Sequence, residues 1–265
     1  MKIAVAIETR DRRIGAEERG HPPVNYLGQT LDNLARAGIW ASSHLHSLHV
    51  VSGGEMPGFL ETEVRSHGPL TIYPDALPGR TRQQNGAMAI QIAAETDADY
   101  VLKLEDDLDF CADFLNGVAR WLGRYGAQDV NMFTLGMTFE TYENSRYAAP
   151  EESVLGPGES FEYVRGWLRD GQQFRMHDAA TNGGFWGAQA VLFRRQDALH
   201  CVEALGPDPR AGRLSNAGHD LLLGEWAGRI GVALPSFIQH LGEHSSIAKT
   251  RFFQFPWPGR EWSFK

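Results

Sequence analysis

Cysteine is nearly absent: Cys111 and Cys201 are all that 265 residues contain. Two thiols are too few for a disulfide framework, and they lack metal-finger spacing, so a reducing compartment is the natural home and a cytoplasmic location the expectation. Long hydrophobic runs are missing as well. The first apolar stretch, residues 3–7, is too short for a signal-peptide core and leads straight into Glu8, Arg10, Arg12 and Arg13; no integral membrane segment is expected. Cations are in deficit, 25 Lys and Arg against 33 Asp and Glu for a net charge of −8. Neither nucleic acid nor an anionic membrane surface then has an electrostatic reason to bind. Internal repeats and low-complexity linkers are also lacking.

What is present is the material of a globular core. With 42% hydrophobic and 22% charged residues the chain excludes disordered and fibrous classes, and its length fits one large domain. Residues 1–8 read as a first strand, apolar throughout rather than alternating, as a strand covered on both faces should be. Tyr26, Leu27, Leu31 and Leu34 recur at helical spacing, and Gly38 closes that helix. A second strand spans 46–51, a helix carries Met88, Ile90, Ile92 and Ala93, and a third strand, 100–104, runs into Glu105. This β, α, β, α, β order predicts an α/β protein with a doubly wound, mostly parallel (mixed) sheet flanked by helices. Farther on, the pattern predicts a helix over 110–122, a strand over 130–135, a strand over 190–193, helices over 196–204 and 215–229, and a strand over 232–234. Residues 137–181 lack periodicity and read as a long insertion or lid. The aromatic segment 249–265 is expected to be docked.

The residues that carry chemistry cluster at strand ends. Glu105-Asp106-Asp107 ends a buried strand, and ligands gather outside strand carboxyl ends in open α/β sheets. Adjacent carboxylates repel one another, and a hard divalent cation such as Mg²⁺ or Mn²⁺ would relieve the repulsion and hold a diphosphate. The other reading is an acidic turn in which Asp107 or Asp109 caps a helix beginning near Phe110. A diphosphate also needs cations: Arg10, Arg12 and Arg13 follow the first strand, and Arg80 and Arg82 precede a helix start, where backbone N–H groups favour anions. Gly53-Gly54, after the second strand, permits close backbone approach. Asp220 opens an apolar helical run. It is either an acid favoured by the helix dipole or a general base near an acceptor hydroxyl, and the residues alone favour the former. His240 and His244, four residues apart, offer one metal ligand or two structural imidazoles.

Taken in order, the strand ending in Thr9-Arg10, Arg82 to Asn85 at a helix start, Leu-Glu-Asp-Asp, Gly183-Gly184-x-x-Gly, His219-Asp220 and Pro235-Ser-x-x-Gln-His-x-Gly-x-His-Ser-Ser resemble a GT-A fold glycosyltransferase. The last segment resembles the end of the catalytic domain of N-acetylglucosaminyltransferase IV type enzymes. The resemblance implies a catalytic domain over 1–248, with a nucleotide-sugar-binding half (1–109) and an acceptor-binding half (110–248), and a C-terminal aromatic tail over 249–265. It implies an inverting, metal-dependent glycosyltransferase (EC 2.4) using Mn²⁺ or Mg²⁺, a nucleotide-sugar donor, UDP-linked N-acetylglucosamine above all, and a glycan or small-molecule acceptor. Asp107 and His240 would ligate the metal, with His244 the second choice, and Asp106 would contact the donor ribose or sugar. Asp220 would be the catalytic base. Thr9, Arg10, Gly53, Arg82, Asn85 and Glu105 would bind the nucleotide sugar, while Gly183, Gly184 and Trp186 would border the donor sugar and acceptor. Glu105 departs from the family's usual aspartate at the first motif position.

Other classes make different demands. A sugar-nucleotide nucleotidyltransferase should carry a Gly-rich phosphate loop directly after the first strand, where Thr9-Arg10-Asp11 stands instead. A glycan-binding module would use Trp167, Trp186 and Trp257 without the carboxylates, and a glycosidase would use a pair of carboxylates on its own. The charge deficit itself is local: residues 95–113 hold eight acids and one base, so seven of the eight excess negative charges surround the proposed cation site.

Overall fold

The computed structural model describes residues 1–9, 24–54, 56–74, 82–136, 173–181, 185, 187–205, 219–241 and 257–265. Strand β1 (Ile3–Thr9) lies inside an eight-stranded sheet, joined by β2 (Leu45–Ser52), β3 (Thr71–Tyr73), β4 (Tyr100–Glu105), β6 (Met132–Thr134), β7 (Phe174–Asp178), β8 (Ala190–Arg194) and β9 (Arg229–Ala233) in the order β3-β2-β1-β4-β8-β6-β9-β7. Strands β3, β2, β1 and β4 run parallel to one another, as do β6 and β9; β8 lies antiparallel between β4 and β6, and the edge strand β7 is antiparallel to β9. The expected mostly parallel, mixed sheet is therefore present. A two-stranded ribbon pairs β5 (Leu108–Phe110) with β10 (Ile238–His240).

Among the described residues, six α-helices cover the two faces: α1 (Tyr26–Arg36), α2 (Gly58–Ser66), α3 (Arg82–Ala94), α4 (Phe114–Tyr125), α5 (Arg195–Leu205) and α6 (His219–Ala227). Alternation along β1 assigns the faces. Ile3, Val5 and Ile7 join Leu27, Leu31 and Leu34 of α1 and Trp121 of α4 in one core, whereas Ala4 and Ala6 join Ala89, Ile90 and Ala93 of α3 in the other. The alanines let α3 pack close against the sheet.

Several sequence expectations shift. The helix predicted from Phe110 starts at Phe114, because Leu108-Asp109-Phe110 alternates with period two and pairs as a strand with β10. Neither Asp107 nor Asp109 caps it; the N-cap is Asp113, in the left-handed region and without a side-chain cap bond. The insertion read over 137–181 contains β7, which the sequence hid because an edge strand keeps one side open: Met176 is 40% exposed. The helix predicted to reach Arg229 stops at Ala227 before Gly228 (φ 63°), and the next strand starts at Arg229. Residues 257–265 do dock. Trp262 and Phe264 pack on Phe237, and Trp257 Nε1 donates to Cys111 Sγ at 3.0 Å. No helix among the described residues is long and apolar enough to cross a membrane.

Candidate active site

Order along the sheet fixes where a ligand can sit. From β1 the chain steps outward to β2 and β3, then returns to place β4 on β1's other side, so the strand order reverses between β1 and β4. A crevice forms outside the carboxyl ends at such a switch point. Thr9 ends β1 and Glu105 ends β4, with Glu8 in register with Glu105. The sequence therefore delivers its carboxylates to the place where this topology leaves room.

The turn after β4 is held by α1. Thr30 Oγ1 donates to the Asp106 carbonyl at 2.8 Å and accepts the Leu108 N–H at 2.9 Å, while Asn33 Nδ2 donates to the Leu108 carbonyl at 3.0 Å. From the other side, the Leu241 N–H donates to the Asp107 carbonyl at 2.7 Å, and the β5–β10 register sets His240 opposite Leu108. Asp109, 3% exposed, receives Arg36 at 3.1 Å and Arg260 at 2.5 Å. Burying acids in one tight turn is costly, and these contacts from α1, β10 and two arginines offset that cost.

Within this frame Glu105, Asp107 and His240 come together, one ligand atom from each lying within 4.8 Å of the others. His240 Nε2 is 3.1 Å from Asp107 Oδ2. His240 sits in a strand rather than after one, and pairing of that strand with β5 is what carries the imidazole to the carboxylates. Asp106 turns elsewhere: its Oδ2 accepts the Thr9 hydroxyl at 2.7 Å. Asn85, 4% exposed in the first turn of α3, donates to the Thr9 carbonyl at 3.4 Å. Gly53 packs closely beside it: a Cβ there would lie 3.0 Å from Asn85 Nδ2. Thr9, Gly53, Asn85, Asp106 and the trio thus share one end of the sheet.

Asp220, at the start of α6, is 9% exposed and its Oδ2 accepts the N–H groups of Gly187 and Ala188 at 3.0 and 3.2 Å. Among the residues expected at the site, Arg10, Gly183, Gly184 and Trp186, with the alternative ligand His244, lie outside the described residues; Arg82 begins α3 and its side chain is not described. Of the eight acids between 95 and 113, only Glu105, Asp106, Asp107 and Asp109 are buried here, and the other four are exposed.

Sequence reasoning passed over Lys103 and Glu8. Lys103 has no exposed surface, and its Nζ lies 2.8 Å from Glu8 Oε2 and 3.5 Å from Glu105 Oε1. The signal was there: a lysine inside an otherwise apolar buried strand needs a counter-charge, and Glu8 closes the neighbouring strand. Thr30 and Asn33 were also missed, because a polar pair at helical spacing beside Leu27, Leu31 and Leu34 reads as the rim of an apolar face.

No family model and no curated protein matches the chain. Solved structures do. The 1–349 fragment of TarS from S. aureus superposes with TM-score 0.51 at 13% identity over 90% of this chain and 60% of that one. The galactosyltransferase LgtC in complex with donor and acceptor sugar analogues gives 0.48 at 11% identity, over 87% of this chain and 73% of that one. A CMP:2-keto-3-deoxy-manno-octonic acid synthetase complexed with CTP gives 0.46 at 13% identity, over 88% and 89%. The chain spans only 60% of the TarS fragment, and at such identities likeness carries architecture alone: the chain has the mixed α/β fold of GT-A glycosyltransferases.

Proposed function

We propose that this chain is a divalent-metal-dependent glycosyltransferase that moves a sugar from a nucleoside diphosphate donor to a hydroxyl of a glycan or small-molecule acceptor. The supporting observation is the buried trio of Glu105, Asp107 and His240 at the switch point between β1 and β4. Two carboxylates and an imidazole with donor atoms within 4.8 Å of one another suit one hard ion lying between them, Mn²⁺ or Mg²⁺. Asp107 and His240 would be the ligands, with Glu105 as the third. When bound, the ion supplies Lewis-acid neutralisation of the departing diphosphate. The resemblance of residues 235–246 to N-acetylglucosaminyltransferase IV type enzymes favours UDP-linked N-acetylglucosamine as donor.

The chain's own groups supply the rest. Asp106, fixed by Thr9, presents its carboxylate toward the donor, and Asn85 with Gly53 shapes the nucleotide pocket. Arg10 and Arg82 are the cations available for the diphosphate; Gly183, Gly184 and Trp186 border the sugar and acceptor. Asp220 takes the acceptor proton, so that the hydroxyl attacks the anomeric carbon in line with the leaving group and inverts it. Its two backbone hydrogen bonds favour a second reading, in which Asp220 only anchors Gly187 and Ala188.

Asp220→Asn separates the two, because asparagine keeps an acceptor oxygen for both N–H groups and loses only its basicity. As a base, its replacement lowers transfer by about 100-fold or more with donor affinity unchanged. Near-normal transfer would leave Asp220 as an anchor. The wider reading is tested with a panel of nucleotide sugars and Mn²⁺ or Mg²⁺. Release of nucleoside diphosphate supports transfer, release of pyrophosphate from a nucleoside triphosphate and a sugar or sugar 1-phosphate supports a nucleotidyltransferase, and failure to bind or turn over either kind of nucleotide overturns both.

A further inference from the structure

We propose that Lys103 is a positioning residue for the cation site, a role that rests on the reading of Glu105, Asp107 and His240 as metal ligands. A lysine with no exposed surface in mid-sheet is costly unless its charge and its donors are both matched. Its ammonium lies 2.8 Å from Glu8 Oε2 and 3.5 Å from Glu105 Oε1, and it donates to the Ala188 carbonyl at 3.1 Å. Across β1 the residue in register with Lys103 is Ala6. These three partners belong to the end of β1, the end of β4 and the turn before β8. That turn is also the segment whose N–H groups Asp220 holds. One ammonium is thereby tied both to a carboxylate of the trio and to the backbone that Asp220 anchors. It fixes where Glu105 points and joins the two sides of the site.

Two physical roles predict opposite signs. As a bare charge, Lys103 offsets Glu8 and Glu105, so its loss makes the site more negative and tightens cation binding. As a positioning group, its loss frees Glu105 to turn away and weakens binding. Replacing the pair together, Glu8→Gln with Lys103→Met, keeps the net charge and leaves neither member of that pair as a lone buried ion. Electrostatics alone then leaves the affinity unchanged, whereas positioning lowers it by about 10-fold or more, the range for groups that orient metal ligands.

The test titrates Mn²⁺ into wild-type protein and the double variant, following free Mn²⁺ by electron paramagnetic resonance, with metal-free thermal unfolding as the check on folding. Glu8→Asp runs alongside: it keeps the charge, needs less space and draws the carboxylate back from the ammonium, so positioning predicts weaker binding there too. Affinities within about twofold of wild type in both variants overturn the positioning role and leave the metal centre standing. Wild-type protein that takes up no Mn²⁺ overturns the metal centre, and the role of Lys103 with it. Should the double variant not fold, Glu8→Asp decides alone.

Discussion

Thr30→Val tests whether the carboxylate turn is held by a helix 76 residues away in sequence. The substitution nearly preserves shape and removes one hydroxyl that has no exposed surface. Thr30 Oγ1 serves two backbone groups, the Asp106 carbonyl and the Leu108 N–H, both in the turn that carries Asp107. Each buried backbone group left without its partner costs about 1–3 kcal/mol, so the expected loss of stability for two groups is about 2–6 kcal/mol. For a chain of this length that lowers the melting temperature on the order of 5–25 °C. Urea denaturation monitored by tryptophan fluorescence measures it. Thr30→Ser is the control, since it keeps the hydroxyl and loses a methyl group worth about 1 kcal/mol. If the valine variant is no less stable than the serine variant, the two hydrogen bonds do not support the turn and the reasoning fails.

Two further outcomes follow from burial. Burial pushes both the Cys111 and the Cys201 thiols far up, so neither should react with a thiol reagent in the native protein at neutral pH, and both should react in urea; rapid native labelling would contradict their packing. Burial, with His46 adding to it, lowers the His49 pKa below its ordinary 6.5, so the unfolded chain binds that proton more readily than the folded one. The stability this residue contributes is complete above pH 6.5 and is lost as pH falls through and below it. In urea unfolding from neutral to mildly acidic pH, His49→Gln should therefore lose less stability than wild type, and parallel curves would show that the shift is absent.

Much of the fold was legible because its rules are local. A continuous apolar strand, a helix closed by Gly38 and a strand ending in acids each announce themselves within a few residues, and their alternation dictates a parallel sheet. The candidate site was legible where one side chain carries the chemistry, as at Glu105, Asp107 and His240. Hidden were features that exist only through pairing. Leu108 to Phe110 reads as the start of a helix until Ile238 to His240 is beside it. Phe174 to Asp178 offers only Phe174 and Met176 as apolar residues, and Met176 stays exposed at the border of the sheet. Lys103 looked like one base among many acids, since its partner Glu8 is remote in sequence and adjacent only once β1 and β4 lie side by side.

The ribbon of β5 and β10 sets an order of events. Parallel strands β1 to β4 draw on the first 105 residues, and with the turn that follows β4 they supply both carboxylates of the trio. The imidazole arrives only when residues 238–240 return across the rest of the chain to pair with 108–110, a closure over more than a hundred residues that is entropically late. A folding intermediate with a finished first half would still lack one of the three proposed ligands. Capture of a metal ion would then report that the whole chain, and not its first half, has reached the native state.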